Sequence, residues 1–108
     1  MKHAVYLTPE ASDDLIDVYR YVATRDSVER ADQLLDKLED ACRALSDFPS
    51  RGHVSPELER VGVFDFREIH VKPYRIIYEI VARKVYVHAV VDGRRDLQDL
   101  LQRRLLRG

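Results

Sequence analysis

Between Val63 and Val91 three strand-like runs, 63–71, 74–81 and 84–91, are separated only by Lys72-Pro73 and Ala82-Arg83. Each run is rich in Val, Ile, Tyr and Phe, side chains that suit a pleated, half-buried surface. Parallel neighbours need a crossover of about a dozen residues or more, so breaks this short force antiparallel pairing. The second half of the chain is therefore read as a three-stranded meander, and the first half must supply the layer that covers it.

The first half has the pattern for that layer. Residues 3–7 form a short strand with Val5 and Leu7 on one face. Thr8-Pro9 then opens a helix, because Thr accepts a hydrogen bond as N-cap and Pro has no N–H to lose at the first helical position. Ala11, Leu15, Val18, Tyr19 and Val22 mark its apolar face to about Thr24. Asp26-x-x-Glu29 reads as an acidic capping box opening a second helix. Ala31, Leu35, Leu38, Cys42 and Leu45 step by four and three along it, the seam of an antiparallel helical hairpin. Residues 47–62 hold two of the four prolines and two of the four glycines and read as a loop. Asp92-Gly93 is a turn, and Asp96 caps a short last helix with Leu97, Leu100, Leu101 and Leu105 on one side. The Arg-rich end (Arg103, Arg104, Arg107) is expected to fray. The expectation is one α+β domain over residues 1–108: an N-terminal strand, a two-helix hairpin packed on a mostly antiparallel sheet, and a short C-terminal helix.

Composition limits the chemistry. With a single cysteine in 108 residues, there is no internal disulfide and no Cys-pair zinc site, as suits a reducing cytosol. Cys42 lies on the helical seam and reads as a small core residue. No apolar run approaches the roughly 18–20 residues of a membrane span, and the first residues lack a signal-peptide pattern, so a cytoplasmic protein without membrane association is expected. The net charge of −1 conceals a split. Residues 1–66 carry 8 Lys+Arg against 14 Asp+Glu, and residues 67–108 carry 10 against 5. That asymmetry fits an acidic partner for the second half, or simply acidic helix surfaces beside basic strands.

No glycine loop for phosphate and no nucleophile-elbow motif is present. His3, His53, His70 and His88 fall in different elements with no pair at helical ligand spacing, although His70 and His88 could meet across the sheet. No metal and no cofactor are expected. Alternation along 74–79 sends Tyr74, Ile76 and Tyr78 to one face and Arg75, Ile77 and Glu79 to the other. An arginine in mid-sheet is costly to bury alone. Arg75 therefore pairs with a carboxylate such as Glu68, or joins Arg67 on the adjacent strand in an anion-binding patch.

Several of these runs carry a resemblance. Leu7-Thr8-Pro9-Glu10-Ala11, Asp14-Leu15, Tyr19-x-Tyr21, residues 48–53 (Phe-Pro-Ser-Arg-Gly-His), Phe66-Arg67-Glu68, residues 74–78 (Tyr-Arg-Ile-Ile-Tyr), Gly93-Arg94-Arg95-Asp96 and Arg104-Leu105 stand in the order and spacing of the RelE/ParE superfamily of type II toxin–antitoxin toxins. The chain resembles its ParE branch most closely, over nearly its whole length. It departs from the family where a histidine often precedes the Gly-Arg-Arg-Asp-like run, because that position is Asp92 here. The resemblance implies a toxin, linked to plasmid stabilization and growth arrest, that inhibits DNA gyrase and is neutralised by a cognate ParD-like antitoxin of ribbon-helix-helix type. RelE-like and YoeB-like relatives instead cleave mRNA on the ribosome.

Cleavage at a 2′-hydroxyl needs a base, an acid and cations on the phosphate within hydrogen-bond reach. Glu57 stands where a YoeB-like base would lie, and Arg67 and Arg75 are the candidate cations. The acid is missing: after His88 there is no His, Tyr or Lys, and arginine holds its proton too tightly. The expectation is an inhibitor with no catalytic residues. The ribonuclease (Glu57, Arg67, Arg75) and a non-toxic interaction module are the alternatives. Arg67, Tyr74, Arg75, Tyr78, Arg94, Arg95, Arg103 and Arg104 are the candidate target- or antitoxin-binding residues. Direct nucleic-acid binding by the chain alone is not expected.

Overall fold

The structure, a computed structural model, describes residues 2–106; Arg107 lies outside the described residues. Strand β1 (Ala4–Leu7) leads into helix α1 (Pro9–Arg25), with Thr8 as N-cap accepting from the Ala11 N–H. Helix α2 (Val28–Ala44) returns antiparallel to it. Its N-cap is Ser27, accepting from the Arg30 N–H, rather than the expected Asp26. Ser27 wins because its extended backbone places the hydroxyl one residue closer to the first free amides.

Residues 47–62 are more ordered than a loop. They hold a 3-10 turn (Pro49–Arg51), the two-residue strand β2 (His53–Val54) and a single-turn helix, α3 (Pro56–Glu59). The meander follows as β3 (Phe66–Val71), β4 (Tyr74–Val81) and β5 (Lys84–Asp92), and helix α4 (Gln98–Leu105) closes the described chain. The first strand starts at Phe66 rather than Val63. The sheet order is β1-β5-β4-β3-β2, antiparallel throughout except for the parallel β1–β5 pair.

Both faces of this sheet are covered, not one. On the first, the α1–α2 hairpin packs Ala11, Leu15, Leu38, Cys42 and Leu45 against Tyr74, Ile76, Tyr78, Val85, Val87 and Val90. On the second, α3 and α4 bring Leu58, Leu97 and Leu101 onto Phe66, Ile77, Ala89 and Val91. A register shift makes this division possible. Ile77 faces Ala89 but Tyr78 faces Val87, so His88 is the extra residue of a β-bulge. The bulge keeps Val85, Val87 and Val90 on the hairpin face although their spacing breaks strict alternation.

Beyond Leu7, β5 has lost its β1 neighbour, and two side chains take over. The Val90 N–H donates to Asp14 Oδ2 at 2.9 Å, and Arg104 donates to the His88 carbonyl at 2.7 Å. Arg104 Nη1 also reaches both Asp14 oxygens, at 3.0 and 2.9 Å. Burial pushes the Asp14 carboxyl above its ordinary value despite these bonds. Arg104, expected on a fraying end, is thus a clamp between α1, β5 and α4. Asp96 Oδ1 accepts from the Gln98 N–H at the start of α4, although the capping position itself is Leu97.

Candidate functional site

Two surfaces carry the residues singled out in the sequence. The first is built on β3 and β4. Arg75 faces His70 across the pair and Glu68 sits two residues before it, so all three point to the α3 side. The Arg75 guanidinium grips Glu57 of α3 in a two-pronged pair, with Nη1 2.9 Å from Oε2 and Nη2 2.5 Å from Oε1. It also binds Glu68, through Nε at 3.0 Å and through Nη2. The side chains of Arg75, Glu57 and Glu68 are only 12%, 11% and 1% exposed. The hydrogen bond from Arg75, against the opposing effect of burial, holds the Glu57 carboxyl below its usual range. Glu57 chiefly keeps Arg75 protonated beyond any accessible pH.

The expected cross-strand Arg75–Glu68 pair is therefore present, enlarged by Glu57, and lies beneath a helix rather than on an open sheet face. The alternative anion patch of Arg67 with Arg75 is not formed. Arg67 is opposite Tyr78, and Tyr78 and Arg75 have opposite parity on β4, so the two arginines sit on opposite faces. Arg67 instead donates to the Ser50 carbonyl at 3.0 Å and to the Gly52 carbonyl. Tyr78, fully buried, donates to the Pro49 carbonyl at 2.6 Å and accepts from the Gly52 N–H. A Cβ on Gly52 would stand 2.2 Å from the Glu68 carbonyl, so only glycine lets the 3-10 turn approach β3 this closely. Glu57, Arg67, Arg75 and Tyr78 are thus engaged within the fold. As a set for RNA cleavage, the base and one cation neutralise each other and the other cation holds a loop.

The second surface lies where β5 turns into α4. Arg94, Arg95 and Arg103 are exposed. Arg94 is pinned to Asp92, by Nε at 3.0 Å and Nη2 at 2.8 Å, and this pairing lowers the Asp92 carboxyl. Arg103 contacts Asp99 at the exposed surface of α4, with Nε 3.0 Å from Oδ2. Arg95 borders a cleft of about 380 Å³ that Asp17, Tyr21, Tyr74, Asp92 and Arg104 also line. Tyr74 is 7% exposed and shows the cleft little more than its edge. The candidate binding residues therefore divide. Arg94, Arg95 and Arg103 face outward, while Arg67, Arg75, Tyr78 and Arg104 hold the structure.

Sequence reasoning missed one grouping. His70 does not meet His88, which contacts Glu79 at 3.0 Å and packs edge-on against Phe66. It meets His53, brought opposite Glu68 by β2. Glu68 and His70, two apart in a strand, were the available signal; His53 lay in a stretch read as a loop. A third surface is apolar: Leu7, Leu15, Ile16, Tyr19 and Leu35 line a groove of about 570 Å³ bordered by β1, α1 and α2. Among the described residues no helix is long and apolar enough to cross a membrane.

Comparison with known proteins agrees with this architecture. Toxin ParE3 of Caulobacter vibrioides is 32% identical over 93 residues, covering 86% of this chain and 89% of that protein. Among solved structures, the chromosomal ParDE system from P. aeruginosa superposes with a TM-score of 0.71 at 14% identity, covering 84% of this chain and 96% of that one. The RelBE2 toxin–antitoxin complex from Mycobacterium tuberculosis gives 0.62 at 18% identity, covering 85% and 99%. At such identities these two structures speak for the fold. Residues 5–97 match the family described as the ParE toxin of the type II toxin–antitoxin system, parDE, and with that match spanning most of its length the chain belongs to the ParE toxin family.

Proposed function

We propose that this ParE-family chain arrests growth by docking on DNA gyrase, without catalysis of its own, and that a cognate ParD-like antitoxin neutralises it. The observation that carries the reading is the Glu57–Arg75–Glu68 cluster. The residues a ribonuclease would need for base and phosphate cation are buried against one another. Of the candidate binding residues, Arg94, Arg95 and Arg103 are the exposed ones.

The antitoxin half of the proposal rests on the apolar groove beside α1 and α2, whose Ile16 is 48% exposed and whose Leu7 is 37% exposed. The groove is preferred to either sheet face, since both faces are covered by helices. Such a groove suits an amphipathic segment that orders on binding, as expected of the tail of a ribbon-helix-helix antitoxin. The two solved relatives are named as toxin–antitoxin systems, which supports a partner of that kind here. Expression in a bacterial host tests the docking claim. The wild type arrests growth, and the R94A/R95A variant stays folded and relieves the arrest. Undiminished arrest by that variant contradicts the reading.

A further inference from the structure

His53, Glu68 and His70 each turn a ligand-type atom toward one point, with those atoms all within 4.8 Å of one another. The grouping follows from register. His53 is directly opposite Glu68 across the β2–β3 pair, and His70 follows Glu68 by two on the same face. His70 Nε2 is 2.5 Å and His53 Nε2 is 3.8 Å from the same oxygen, Glu68 Oε2. We propose that His53, Glu68 and His70 form a binding site for a divalent transition-metal ion of the zinc class at the β2–β3 edge.

The chemistry of the donors supports this. Two imidazoles and one carboxylate are a recurrent ligand set for such ions, with solvent in the remaining position. Metal–ligand bonds of about 2.0–2.2 Å place tetrahedral ligand atoms roughly 3.4 Å apart. The His53–Glu68 separation is already near that value, and the His70 ring must swing out by about 1 Å. It is free to do so, because the two histidine side chains are 60% and 46% exposed. His53 Nδ1 lies 3.1 Å from the Val54 carbonyl. A proton on Nδ1 shared with that carbonyl leaves the Nε2 lone pair free for a metal.

Glu68 is the fixed point of the site. Arg75 holds both its oxygens and keeps the carboxylate in one orientation. The Arg75 charge does not cancel it, because Glu57 takes up the same guanidinium. Two buried carboxylates against one guanidinium leave an excess negative charge, and the two imidazoles are the groups that face it on the open side. A cleft of about 330 Å³, bordered by Arg51, Gly52, Ile69 and the three ligands, has room for an ion and its water. Bound there, the ion would tie β2 to β3 and so fix the segment between α2 and β3.

The test uses the untagged full chain, stripped with chelator and titrated with Zn²⁺ by calorimetry. One ion binds per chain, and it raises the thermal midpoint. H53Q and H70Q, both at exposed side chains, each weaken binding at least about tenfold and remove the thermal shift. H88Q, which alters a histidine outside the cluster, leaves both unchanged. Co²⁺ gives the visible absorption of a four-coordinate site in the wild type and not in H53Q. The proposal is overturned if Zn²⁺ fails to bind up to millimolar concentration, or binds H53Q and H70Q as tightly as the wild type.

Discussion

Replacing Arg75 with methionine keeps the volume of the side chain and removes the charge that Glu57 and Glu68 share. Exposed ion pairs contribute about 0–1 kcal/mol, but here the carboxylate side chains are 11% and 1% exposed. Breaking a buried pair costs about 3–5 kcal/mol, because an uncompensated charge is left behind. We expect R75M to lose about 4 kcal/mol at neutral pH, a large part of the roughly 5–15 kcal/mol typical of a whole domain. The pH dependence gives a second check. In the wild type the Arg75 hydrogen bond lowers Glu57 in the folded state, so its contribution is complete above the unfolded carboxylate range and is lost as pH falls through the folded value. In R75M, burial becomes the main influence and raises Glu57 instead. The variant should therefore gain stability as pH falls from about 7.5 to about 5, while the wild type stays level. Urea unfolding followed by circular dichroism measures both. Adding E57Q to R75M should recover stability, although E57Q alone costs stability in the wild type. A loss below about 1 kcal/mol, or one independent of pH, would refute the picture of a buried cluster held together by Arg75.

Three further outcomes follow. R104A should cost about 2–3 kcal/mol in chemical unfolding, since it strands the Asp14 carboxylate and the His88 carbonyl; R103A should stay within about 0.5 kcal/mol. Ala82, with φ of 56° in the β4–β5 turn, sits where an L side chain is strained, so A82G should stabilise by about 0.5–1 kcal/mol in the same assay. Burial pushes the Cys42 thiol up to about 11, so a thiol reagent near neutral pH should modify it only at the rate of unfolding. Rapid labelling of the native protein would place Cys42 outside the core.

The fold was legible where short-range chemistry decides it. β-branched runs with two-residue breaks marked β4 to the residue and β5 to within one, and Thr8-Pro9 marked the start of α1. The 47–62 segment was not, because four-residue α3 and two-residue β2 are too short to show a period. Its Ser55-Pro56-Glu57 start was the one signal available. The faces of Arg67 and Arg75 could have been derived. A two-residue break at Lys72-Pro73 sets Val71 against Tyr74, hence Arg67 against Tyr78, and Tyr78 and Arg75 alternate. The bulge at His88 had no local signal, and without it neither the Asp14–Arg104 clamp nor the outward choice among the arginines can be read. The histidine cluster depends on the same kind of long-range register, which brings residue 53 to residue 68.

Docking without catalysis is tested most directly by adding purified chain in increasing molar ratio to DNA gyrase in a supercoiling assay, with ribosome-dependent mRNA cleavage run in parallel. The account predicts that supercoiling stops at a ratio set by the number of gyrase complexes, that R94A/R95A shifts the titration to higher ratios, and that the mRNA stays intact. Cleaved mRNA with unimpeded supercoiling would contradict it.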